Sequence, residues 1–209
     1  MSEKRFARFI KLLLLCILAA GTNFFINTLS VYFIKLPLFL DTVFSAAVCF
    51  AAGIFPGIIT AFVTYTAVSI RNGSFDPFIV CAIAEVLLVW WLKPSSHVRP
   101  GSTGQWSGPP AAAITSLVSV FARLMLLYIV CCIAISVLGG VIDFFYYTVL
   151  VNPKLYFSAE DAFKIGLLRS GIPVLTMNIL SRIPVNIVDR FIVIFGGYFV
   201  SRGLGRFVR

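Results

Sequence analysis

Between Leu36 and Ile70 the chain carries no lysine or arginine and a single acid, Asp41. As one helix this stretch would be roughly 50 Å long at ~1.5 Å per residue. That overshoots a bilayer hydrocarbon core of about 30 Å. The stretch must therefore fold back on itself, and Gly53-Ile54-Phe55-Pro56-Gly57 supplies the only turn chemistry within it. Composition points to the same solvent. Hydrophobic residues make up 60% of the 209 residues and charged residues 12%, too little charge to cover that much apolar side chain in water.

Reading onward for runs of about 20 apolar residues predicts an all-α integral membrane protein, one domain over residues 1–209. The expectation is a bundle of six transmembrane helices at about 9–34, 37–54, 56–70, 78–92, 111–138 and 183–201. Residues 94–110, rich in Pro, Gly and Ser, read as an aqueous loop, and 139–182 as a long mixed segment holding a half-helix or a cap. The first run, from Phe9 to Ile34, is too long for the apolar part of a signal peptide and reads as a retained helix.

The net charge of +9 reports orientation rather than nucleic-acid binding. Basic residues such as Lys4, Arg5, Arg202 and Arg206 gather at the chain ends, where Glu3 is the only acid. The positive-inside rule places that side in the cytoplasm. An even number of spans brings both termini there.

Charges inside apolar runs are costly and so are candidates for function. Glu85 falls in the middle of the fourth run and Arg123 in the fifth. They either pair with each other or face a polar cavity. Arg182, Asn186 and Asp189, at spacings of four and three, share one helical face, with Arg190 beside them. That face is either an interfacial charge ladder or one wall of a pocket, and Pro184 suits the first turn of the helix carrying it. Small residues at Cys16 and Ala20, Ala47 and Ala51, and Gly53 and Gly57 stand four apart, which lets helices approach closely. The five cysteines sit in apolar runs without CxxC spacing, so neither a metal site nor a disulfide framework is expected. No nucleotide-binding, protease or hydrolase signature occurs, and no enzyme activity or cofactor is expected.

The entry Pro37-Leu38-Phe39-Leu40-Asp41-Thr42, the Phe55-Pro56-Gly57 hairpin, the Asp76-Pro77 turn and the ending Asn186-Ile187-Val188-Asp189-Arg190 followed by Gly197-Tyr198 together resemble the substrate-capture (S) components of energy-coupling-factor (ECF) transporters. The resemblance implies a six-helix binder of a vitamin or similar metabolite, partnered by a transmembrane coupling subunit and two cytoplasmic ATPases in the inner membrane of a prokaryote. It further implies that Asp41, Asn72, Asp76, Asp189 and Arg190 line or rim the pocket. The family's Ala-x-x-x-Ala contact for the coupling subunit is matched here only by Cys16 and Ala20. Two other readings stand beside it: a membrane-embedded sensor signalling through a separate chain, and a stand-alone carrier or lipid-binding protein. A carrier usually shows internal repeats or broken helices, and the sequence has no repeat.

Overall fold

The computed structural model describes residues 3–34, 40–94, 110–146 and 159–208. Helix α1 (Glu3–Thr28) continues as a π-helical stretch (Leu29–Ile34). Then come α2 (Val43–Ala52), α3 (Ile54–Asn72), α4 (Ile79–Leu92), α5 (Pro110–Ile142) and α6 (Ala159–Arg169). Helix α7 (Val174–Phe191) runs through a second π-helical stretch (Ile192–Gly196) into α8 (Gly197–Val208). Counting each continuous rod once, seven helices are present among the described residues, and the protein is all-α.

Six spanning helices are not what forms. Among the described residues four helices are long and apolar enough to cross a membrane: Arg5–Phe33, Ile54–Asn72, Leu117–Tyr146 and Val174–Gly205. The second and fourth expected spans are α2, with 10 residues, and α4, with 14 residues. At ~1.5 Å per residue they reach about 15 and 21 Å, short of a core of about 30 Å. The apolar character of α2 has another cause. Ala46, Ala47, Val48 and Cys49 of α2 are at most 1% exposed, because α1, α3, α4 and α8 pack around them. A helix apolar on all sides is buried, in protein as well as in lipid.

The expected break before Ile183 is also absent. One helix runs from Val174 through Pro184 to Phe191. Proline there removes one backbone hydrogen bond instead of starting the helix. Residues 174–180, within the segment read as holding a half-helix or a cap, supply the first turns of that helix. Residues 35–39, 95–109 and 147–158 lie outside the described residues. They include Pro37, nearly all of the 94–110 loop and part of the 139–182 segment.

Small side chains set the spacing of the bundle. Gly53, at φ 102°, ends α2 and starts α3 one residue later, a conformation that favours glycine. A Cβ on Gly57 would lie 2.8 Å from Cys49 Cβ and 2.9 Å from Val86 Cγ1. Cys16 and Ala20 are each 2% exposed, and the Cys16 thiol donates to the Pro56 carbonyl at 3.5 Å. Both are therefore occupied with packing inside this chain.

The tightest approach joins α5 to α7, where a Cβ on Gly140 would stand 2.7 Å from Ile179 Cα and 2.8 Å from its amide nitrogen. Backbone cannot yield as a side-chain tip does. Gly140→Ala should therefore cost about 1–3 kcal/mol, the usual penalty of overpacking. Gly166→Ala, on α6 with nothing within 4 Å of the new Cβ, should gain up to about 1 kcal/mol from helix propensity. Thermal unfolding of both variants in detergent checks this, and equal midpoints would refute the close contact.

Candidate functional site

Where α1 and α3 end and α4 begins, against the second half of α7, the helices leave a cavity of about 230 Å³. Its walls carry Asn27, Tyr32, Asp41, Thr42, Tyr65, Arg71, Asn72, Asp76, Phe78, Arg182, Asn186 and Arg190. Asp41 and Thr42 precede α2 instead of lying within it, which drops their side chains to the cavity floor.

The start of α2 shows how the floor is held. Thr42 is its N-cap residue but makes no side-chain cap bond. The Thr42 hydroxyl instead accepts from Arg190 Nη1 at 3.4 Å. Asn23 of α1 substitutes for the cap: its Oδ1 accepts from the Phe44 amide at 2.9 Å, satisfying one of the orphan donors of the first turn. Asn23 Nδ2 donates to Ser45 at 3.0 Å, so α1 and α2 are tied together beneath the cavity.

Arg190 is the centre of the charge cluster. Its guanidinium bonds Glu85 of α4 and the neighbouring Asp189. Arg190 is 4% exposed and both acids are 0% exposed. Asp41, 3% exposed, faces the same group and the Tyr65 hydroxyl. Burial, followed by the nearby Asp189 charge, pushes the Asp41 carboxyl up to about 8, against the pull of Arg190. At the rim, burial raises Asp76 as well. Its Oδ1 accepts the Phe78 amide at 3.0 Å, and its own amide donates to Ser69 at 3.1 Å, which shapes the turn into α4.

A second ion cluster closes the side formed by α5, α6 and α7. Arg182 Nε donates to Asp143 Oδ2 at 2.8 Å, and Lys164 of α6 reaches the same oxygen at 3.4 Å. The Arg182 guanidinium lies 4.4 Å from the centre of the Phe78 ring, within cation–π range. Asn186 donates to Ser136 of α5 at 2.9 Å.

Of the residues singled out from the sequence, Asp41, Asn72, Asp76, Arg182, Asn186 and Arg190 line this one cavity. Glu85 and Asp189 stand behind Arg190 and hold it without lining the cavity. Arg123 is exposed on α5 and is not the partner of Glu85, whose ion pair is with Arg190. Thr42, Tyr65 and Arg71 were not singled out as site residues, nor were Asn27 and Asp143. Asn23, Asn27 and Ser30 recur at helical spacing within an apolar run, a signal that could have marked α1 as a contributor. Tyr65 carries no such signal, because an aromatic in an apolar run reads as core. Among the described residues no group of three His, Cys, Asp or Glu side chains could hold a metal ion.

Compared with protein families, with curated proteins and with solved structures, the chain matches none. These comparisons assign it no family. It is a membrane-embedded protein of several apolar helices, with a polar cavity at one end of the bundle.

Proposed function

We propose that this protein is the substrate-capture subunit of an ECF-type uptake transporter, in the inner membrane of a prokaryote. It binds a small polar metabolite without transforming it. The observation that carries this reading is the cavity itself, whose walls bring Asp41, Asn72, Asp76, Arg182, Asn186 and Arg190 together from three separate parts of the chain. Buried charge in a membrane bundle is costly, and where it borders a cavity it marks a ligand path. The energy for uptake comes from partner chains, a coupling subunit and two ATPases, since this sequence contains no recognisable nucleotide-binding motif.

Mass spectrometry of small molecules released on denaturing the purified protein tests the reading. A polar metabolite in stoichiometric amount is expected. Its release should be lost in Asn186→Leu, which removes a cavity amide and fills part of the space. Phospholipid alone, in repeated preparations, would refute capture of a soluble metabolite.

A further inference from the structure

The cavity is charged asymmetrically. Three buried carboxyl groups, those of Asp41, Glu85 and Asp189, share the guanidinium of Arg190. Among the described residues each keeps one oxygen without a hydrogen-bond partner: Asp41 Oδ1, Glu85 Oε1 and Asp189 Oδ1. Only Asp41 of the three lines the cavity. A buried acceptor left without a donor is expensive, so this oxygen calls for a donor that the ligand supplies.

Arg71 shows the opposite need. Its guanidinium lines the same cavity and, among the described residues, bonds only neutral oxygens, those of Thr28 at 2.8 Å, Asn27 at 3.0 Å and Asn72 at 3.2 Å. The other two cavity arginines are held by acids, Arg182 by Asp143 and Arg190 by Glu85 and Asp189. Among the described residues no carboxylate bonds Arg71, and part of its donor fork is unused.

We propose that the cavity takes a small zwitterion, with a protonated nitrogen donating to Asp41 and a carboxylate or phosphate gripped by Arg71. This deepens the capture reading and rests on it. The ligand's cation offsets the excess of buried acid, and its anion gives Arg71 the planar partner that a guanidinium binds best. A free aminoacid-like metabolite and the ethanolamine phosphate headgroup of a lipid both carry this pair of charges.

Thermal unfolding of the full chain in detergent separates the cases. The probes are 4-aminobutyrate and 2-aminoethyl phosphate as zwitterions, butyrate and butylamine as single charges, and phosphatidylethanolamine against phosphatidylglycerol as lipids. At least one nitrogen-bearing zwitterion should raise the midpoint while butyrate and butylamine do not. Asp41→Asn and Arg71→Gln should each weaken its binding about 10- to 100-fold, the loss of one charge-assisted hydrogen bond. A rise with phosphatidylethanolamine but not phosphatidylglycerol, and with neither free zwitterion, assigns the same chemistry to a lipid headgroup. If butyrate, butylamine or phosphatidylglycerol acts as well as the zwitterions, the ligand class is wrong while capture stands. A released metabolite lacking either charge has the same meaning. If no probe shifts the midpoint and no small molecule is released, both the ligand class and the capture reading fall.

Discussion

Replacing Arg190 by methionine should destabilise the bundle by about 3–5 kcal/mol, the cost of leaving buried charges without their counter-ion. Methionine fills much of the volume of the arginine stem, so the loss reports charge more than packing. Both partners, Glu85 and Asp189, are fully buried and would each face a low-dielectric interior with no cation. Neutralising the acids as well, in the triple variant Arg190→Met, Glu85→Gln, Asp189→Asn, should recover most of the loss. Arg123→Met, at an exposed position and not the partner of Glu85, should lose far less than Arg190→Met. Denaturant-induced unfolding in detergent micelles reads all three. A bundle indifferent to the loss of Arg190, or one that depends on Arg123 instead, would show that Glu85 has a different partner.

The second large effect is one of pH and centres on Asp41. The unfolded chain releases this proton near pH 4, while the folded chain holds it up to about 8, chiefly because the carboxyl is buried. Between those values the native state binds a proton that the unfolded state does not, so its contribution to stability falls as pH rises. Above pH ~8 that contribution is lost, and a carboxylate sits beside Glu85 and Asp189 with only Arg190 to share. Asp41→Asn should flatten the decline between about pH 4 and 8 and make the protein more stable than its parent above that range. It should also be worse at holding ligand. Midpoints of thermal unfolding from pH 4 to 9 check the first point. Parallel curves for parent and variant would mean that Asp41 is ionised in the folded protein across the whole range. A residue that costs stability and is needed for binding is the usual signature of a functional position.

The placement of these groups also shows what could be read in advance. The four-and-three spacing of Arg182, Asn186 and Asp189 lies on the inner face of α7, and all three residues are buried. Helical periodicity is local, so it survives whatever the rest of the chain does. Pairing is not local. Glu85 looked equally able to meet Arg123 on the next helix and was met by Arg190, 105 positions away in the chain. Nothing in the residues around Glu85 distinguishes those outcomes. Arg71 is similar: beside a turn it reads as an orientation charge, and only the approach of Asn27 and Thr28 from α1 places it in the cavity wall.

The sequence by itself determined the solvent and the class of structure. Apolar content summed along the chain, with so few charges to cover it, commits these residues to helices in a bilayer, because transfer free energy adds residue by residue without regard to neighbours. Only the tertiary structure decided which apolar helices meet lipid and which meet protein. Hydropathy scores α2 and α4 as it scores a span, yet both stop short of the membrane's thickness, and the apolar side chains of α2 are largely screened by other helices. The tertiary structure also decided which acids share Arg190, since the partner of a buried charge is set by which helices pack together and not by distance along the chain.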